Sequence, residues 1–129
     1  MSKFYKTAPK IELIPKTENG DILRLAEDFS VKWYGVEFTI PAGFECDGAS
    51  VPRCLWGSVS PQISPETLAG AIAHDYIYRM QPDGWTRYAA DCMFRDMIRE
   101  DGFSWWKTRK AYYGVRWFGG MAWESNKKC

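Results

Sequence analysis

Val36, Phe38 and Ile40 alternate with polar residues, the period of two expected of a half-buried strand. Extended with its neighbours, this pattern predicts strands over 11–14, 22–29 and 31–40. Asn19-Gly20-Asp21 and Tyr34-Gly35 supply the turns between them, and a small antiparallel meander follows. Residues 41–64 lose the periodicity and become rich in Pro, Gly, Ser and Cys, which reads as a long ordered connector. Beyond it the period changes to that of a helix. Ser64-Pro65-Glu66 is a helix start that leads into Leu68 to Met80, and Gln81-Pro82-Asp83-Gly84 is its stop. A second helix is predicted from near Thr86 to Glu100, with Ala90, Met93, Phe94, Met97 and Ile98 on one apolar face and Asp101-Gly102 as its end. A third starts at Ser104 and extends to about Trp123, its end weakened by Gly114, Gly119 and Gly120. Strands first and helices second, without alternation, predict an α+β fold. The 129 residues suit one domain, with strands over 1–40, a site loop over 41–64 and helices over 65–123.

Composition narrows the chemistry. At 46% hydrophobic and 26% charged, the chain is of the globular class, so disorder is set aside. A formal net charge of +1 gives no bulk field for nucleic acid. His74 is the single histidine, which excludes hydrolytic sites that need two, the paired-histidine zinc enzymes among them. The chain begins Met-Ser-Lys without the apolar core of a signal peptide, so its four cysteines are read as reduced in a cytosol. Its longest apolar stretches fall well short of the roughly 20 residues of a membrane span, and a soluble or at most peripheral protein is expected.

His74, Asp75 and Tyr78 fall at i, i+1 and i+4 of the first predicted helix, so His74 and Tyr78 share a face while Asp75 points about 100° away. Asp91 follows on the second helix, beyond a tight turn that folds the two helices back to back. A carboxylate on one imidazole nitrogen fixes the tautomer and leaves the other nitrogen as a general base. Asp75, together with Asp47 and loop carbonyls near Gly48, could hold a hard cation such as Ca²⁺ to stabilise an oxyanion. Bland readings stand beside these. A lone His beside a carboxylate is equally a buried ion pair, Asp47-Gly48 alone is most often a turn, and Tyr76 and Tyr78 also read as core aromatics. Ser50 is an alternative nucleophile, although Asp-Gly-Ala-Ser-Val lacks the G-x-S-x-G elbow. A Cys₃His zinc site from Cys46, Cys54, Cys92 and His74 lacks the short knuckle spacing.

The third helix interleaves Trp105, Trp106, Tyr112, Tyr113, Trp117, Phe118 and Trp123 with Lys107, Arg109, Lys110 and Arg116. A helix buried on several faces, a lipid interface, a protein interface and base stacking all use such banding.

In combination, the segments Phe44-Glu45-Cys46-Asp47-Gly48-Ala49-Ser50-Val51-Pro52-Arg53, Ala73-His74-Asp75-Tyr76-Ile77-Tyr78-Arg79 and Arg87-Tyr88-Ala89-Ala90-Asp91-Cys92-Met93-Phe94 resemble an uncharacterised family of phage and prophage proteins, a domain of unknown function. H-D-x-x-Y at His74, Asp75 and Tyr78, then A-D-x-x-F at Ala90, Asp91 and Phe94, more distantly resembles the two catalytic helices of phospholipase A2. The D-G-x-S loop of its bacterial and fungal branch is matched by Asp47-Gly48-Ala49-Ser50. That resemblance implies a phospholipase-like helical part in which His74 is the general base, Asp91 its orienting partner and Tyr78 a support, with Asp47, Gly48 and Asp75 around Ca²⁺. It implies hydrolysis of a lipid ester at a membrane surface. The Cys-rich calcium loop and disulfide framework of the secreted enzymes are missing, and Ile77 stands where those enzymes carry a cysteine, which suits the host cytoplasm or a virion. The phage likeness implies a second role, a virion or tail-associated interaction protein that retains the His-Asp pair as a structural element.

Overall fold

The computed structural model describes residues 3–14, 22–47 and 65–127. Strands β1 (Ile11–Ile14), β2 (Ile22–Leu25), β3 (Phe29–Trp33), β4 (Val36–Ile40) and β5 (Glu45–Asp47) precede helices α1 (Pro65–Met80), α2 (Arg87–Glu100) and α3 (Trp105–Lys127). The order is that of an α+β fold, as the periodicity predicts.

The meander is divided in two. β3 and β4 pair as an antiparallel hairpin, with Phe29 opposite Ile40 and Val31 opposite Phe38. Tyr34 (φ 45°) and Gly35 (φ 84°) take the left-handed conformations that a tight hairpin turn requires. Alternation then sends Phe29, Val31 and Ile40 into the core, while the Ser30 and Thr39 hydroxyls hydrogen-bond at 2.8 Å on the outer face. β2 is shorter than its hydrophobic run, because the chain bends after Leu25 to enter the second sheet. Its partners are β1 on one side and β5 on the other, in the order β1-β2-β5. Residues 45–47, expected in the connector, therefore form a strand. Gly43 (φ 91°) makes the turn into it and donates its N–H to the Leu25 carbonyl at 2.8 Å.

The helices behave as their end signals predict, with one exception. Thr86 caps α2 by accepting the Ala89 N–H, and Gly102 (φ 102°) follows its C-terminus. α3 does not end at its glycines but continues to Lys127. The main core joins Leu25, Phe29, Val31 and Ile40 of the strands to Ile72, Ala73 and Ile77 of α1 and Met93 and Met97 of α2. A second cluster of Ala71, Phe94, Ile98, Ala111 and Val115 fills the space among the three helices. Polar ties join the N-terminal part to the helical part: Trp33 Nε1 of β3 donates to Asp96 of α2 at 3.0 Å, and the hydroxyl of Tyr5, ahead of β1, donates to Asp101, just past α2, at 2.7 Å.

Close packing of α1 on α2 depends on Gly70. A Cβ there would lie 2.7 Å from Ile98 Cγ2 and 3.4 Å from Met97 Cβ, both on buried side chains. Gly70→Ala is expected to destabilise the fold by about 1–3 kcal/mol through overpacking, against a helix-propensity gain of about 1 kcal/mol. A urea midpoint lower than that of the unaltered protein is the expected reading, and a higher one would refute the close approach.

Candidate functional site

The helices meet at Asp91, a fully buried carboxylate on α2. Burying a charge is costly unless it is paired and hydrogen-bonded, and here both oxygens are occupied. Oδ1 accepts from His74 Nε2 at 2.7 Å and from the Tyr78 hydroxyl at 2.6 Å. Oδ2 accepts from Arg116 at 2.8 Å. α1 contributes His74 and Tyr78 from one face, one helical turn apart, and α3 contributes the arginine.

Each donor is itself held. The His74 ring lies between Tyr78 (centroids 4.2 Å apart) and Phe94 (5.0 Å apart), and 8% of the residue remains exposed. Tyr78 packs edge-on against Trp123. The Arg116 guanidinium stacks over the Tyr88 ring at 5.2 Å. Gly119 makes the tyrosine's position available, since a Cβ there would stand 2.6 Å from the Tyr78 hydroxyl. Its neighbour Gly120 faces Arg87, whose guanidinium donates to the Val115 carbonyl at 2.9 Å and to the Arg116 carbonyl. Of the glycines read as weakening the third helix, Gly119 thus admits the Tyr78 side chain, while a Cβ at Gly120 would make only ordinary contact with Arg87, 3.7 Å from its Cζ.

Burial pushes the Asp91 carboxyl up, but the hydrogen bond and charge of His74, with the bonds from Tyr78 and Arg116, outweigh it and hold the group below its ordinary value of 3.8. Burial, then the hydrogen bond to Asp91, raises the Tyr78 hydroxyl well above the phenol range, so it stays a neutral donor. With Asp91 an acceptor only, Nε2 carries the proton in neutral His74, and Nδ1 is left with the lone pair. The arrangement can therefore orient an imidazole and offer one nitrogen as a base.

Because Asp91 is more acidic folded than unfolded, its contribution to stability is complete above the ordinary value of 3.8 and is lost as pH falls through the folded value. Urea unfolding followed from pH 6 to pH 2 should show a steeper loss below about pH 4 for the native sequence than for Asp91→Asn. Parallel curves would contradict this.

Asp75 points elsewhere, as its spacing predicts. Its Oδ2 lies 3.7 Å from Arg79 Nε, and Arg79 also donates to the Glu45 carbonyl at 2.6 Å, at the start of β5. That contact brings the Asp75 face of α1 to the strand carrying Asp47. The backbone of Asp47 pairs with Ile22, while its side chain, Gly48 and Ser50 lie outside the described residues. Of the cysteines proposed for zinc, Cys92 is a free thiol in the interior; Cys54 and the side chain of Cys46 also lie outside them. Among the described residues no group of three or more His, Cys, Asp or Glu is placed to hold a metal. Nor, among them, is any helix long and apolar enough to cross a membrane. Arg116 was not foreseen as part of this cluster. Its signal, a basic residue among aromatics on the third helix, is shared by Lys107, Arg109 and Lys110.

Comparison with known proteins adds a family. The chain is similar to an uncharacterized protein of Sinorhizobium fredii (strain NBRC 101917 / NGR234), 26% identical over 99 residues that make up 76% of this chain and 29% of that protein. It thus spans less than a third of that relative's length. No solved structure matches. Residues 23–115, which hold β3, β4, β5, all of β2 but its first residue, all of α1 and α2, and His74, Tyr78 and Asp91, match the family described as "Protein of unknown function (DUF1353)", and the chain belongs to that family.

Proposed function

We propose that the protein is a phage-encoded, phospholipase-A2-like hydrolase in which His74 activates water against a lipid ester. The observation that carries this reading is the 2.7 Å bond between His74 Nε2 and an Asp91 that is also held by Tyr78 and Arg116. An Asp91 held from three sides keeps the imidazole in one tautomer and one orientation, which general-base catalysis needs. In the proposed step Nδ1 of His74 takes a proton from water as the water oxygen bonds to the ester carbonyl carbon. The tetrahedral intermediate then collapses with loss of the alcohol, which takes the proton back from Nδ1. Asp91 stabilises the imidazolium between the two transfers and stays ionised.

Calcium belongs to this proposal as the ion that would stabilise the developing oxyanion, with Asp47, Gly48 and Asp75 as oxygen donors. A hard cation takes about six to eight oxygens, and the described side chains offer Asp75 alone, already ion-paired with Arg79. Those residues do not by themselves compose such a site, so no step above is routed through the ion. A lipid surface as partner, and the host cytoplasm or virion as location, belong to the same proposal.

Hydrolysis of phosphatidylcholine vesicles, measured by fatty-acid release, tests it. His74→Asn is expected to reduce turnover by about 10²–10⁴-fold, the usual worth of a general base, with the protein still folded, and chelator tests the calcium component separately. Unchanged release by His74→Asn would overturn the reading.

A specific observation favours a second role, that of a virion or tail-associated interaction protein. The outer face of α3 leaves Trp106, Trp117 and Met121 exposed, at 71%, 79% and 86%. Co-purification with tail particles, abolished by Trp117→Ser and indifferent to His74→Asn, would support that role, and an inert Trp117→Ser would oppose it.

A further inference from the structure

A groove between the C-terminal half of α2 and the first turns of α3 encloses about 280 Å³. Three of its lining residues are arginines, Arg95, Arg99 and Arg109, against one carboxylate, Asp96. The carboxylate is already shared: Oδ2 accepts from Trp33 Nε1 at 3.0 Å and Oδ1 from Arg95 Nε at 3.3 Å. The guanidiniums are set in place by aromatic rings. Arg95 lies 5.0 Å over Tyr112, and Arg109 lies 5.0 Å over Trp105 and 5.6 Å over Tyr113. Stacking fixes a guanidinium plane while leaving its N–H edge available. Arg99 gives one N–H to the Phe103 carbonyl at 3.1 Å, and Arg109 has no hydrogen-bond acceptor among the described residues.

The charges around the groove define the ligand that it fits. A cation is excluded by three positive charges, and an apolar group would strand their N–H donors. A carboxylate has two oxygens. A phosphate has three or four acceptor oxygens and as many as two charges, which suit several guanidinium edges together. The volume of about 280 Å³ falls just below the roughly 300–1,000 Å³ range of ligand pockets, fitting a compact headgroup and not a polymer.

We propose that the α2–α3 groove is a binding site for the phosphate group of a phosphorylated ligand, held by Arg95, Arg99 and Arg109. The assignment does not depend on the role of His74. Its source is either a soluble phosphate ester or a lipid headgroup, since both present the same chemistry.

Calorimetric titration of the full chain with inorganic phosphate at low ionic strength tests it. One saturable site is expected, weakened about tenfold or more by Arg109→Gln through loss of a charge-assisted bond. Arg99→Gln, an exposed change in the same groove, should weaken it several-fold without lowering the thermal midpoint, and this variant guards against a misfolded Arg109 mutant. Lys110→Gln, an exposed change outside the groove, should leave binding unchanged. Absence of saturation, or equal loss in Lys110→Gln and Arg109→Gln, would overturn the site. Retention on phosphatidylcholine vesicles only when they contain phosphatidic acid, competed by inorganic phosphate and lost in Arg109→Gln, assigns it to a headgroup. Saturable phosphate binding without such retention assigns it to a soluble ester.

Discussion

Truncating Asp91 to alanine is expected to lower the unfolding free energy by about 3–5 kcal/mol, the usual cost of removing one partner from a buried ion pair. The size follows from what is left behind. His74, Tyr78 and Arg116 all direct donors at this carboxylate, from two different helices. With the acceptor gone, a buried hydroxyl and a ring N–H lose their partner, and Arg116 keeps its charge without the counter-charge that it faces. Against a total stability of about 5–15 kcal/mol for a domain of ordinary size, the loss is enough to leave a substantial unfolded fraction. Asp91→Asn keeps one acceptor oxygen but presents an amide N–H₂ to the other donors, so its cost should fall between those of alanine and the native residue. Urea denaturation of the three proteins provides the comparison. A loss below about 1 kcal/mol for the alanine variant, the range of an exposed pair, would mean that the cluster is not the buried junction described.

Phe94→Ala is expected to have a comparable effect, about 3–5 kcal/mol, from lost burial and the cavity it creates. Phe94 is fully buried among Ala71, Ile98, Ala111 and Val115, mostly small residues that cannot swing in to fill a phenyl-sized void. It also backs the His74 ring at 5.0 Å, so the variant should loosen the imidazole as well as the helix packing. Calorimetry gives the stability loss, and the imidazole resonances of His74 report the ring's order. Because both residues touch His74, the double variant Asp91→Ala/Phe94→Ala should depart from additivity.

Much of this was legible in the chain itself. The 34–35 turn, the helix start near Thr86 and the Asp101-Gly102 stop are local signals, and they read correctly. The pairing of His74 with Asp91 across 17 residues was legible too, since a short turn between amphipathic helices leaves little choice of register. β5 was hidden because its three residues, Glu-Cys-Asp, show no strand propensity. They become a strand through pairing with β2, which no local window contains. Arg116 was hidden for a similar reason. Its partner lies 25 residues away on another helix, and Lys107, Arg109 and Lys110 of its own helix stand among aromatics in the same way. The glycines of α3 were read by propensity, which counts only what a missing side chain costs a helix. Propensity says nothing of a neighbour that needs the space.

That space ties positions 78 and 119 together as sequences drift. As long as a tyrosine hydroxyl reaches Asp91 from α1, the facing position on α3 can carry no side chain at all, since even a methyl carbon would stand 2.6 Å from the oxygen. A chain that exchanges the tyrosine for a shorter residue is released from that restriction and can accept alanine there, recovering helix propensity in α3 while giving up one donor to the carboxylate. The two positions are thus a matched pair, and a family member that breaks one half of the match should be found to have changed the other.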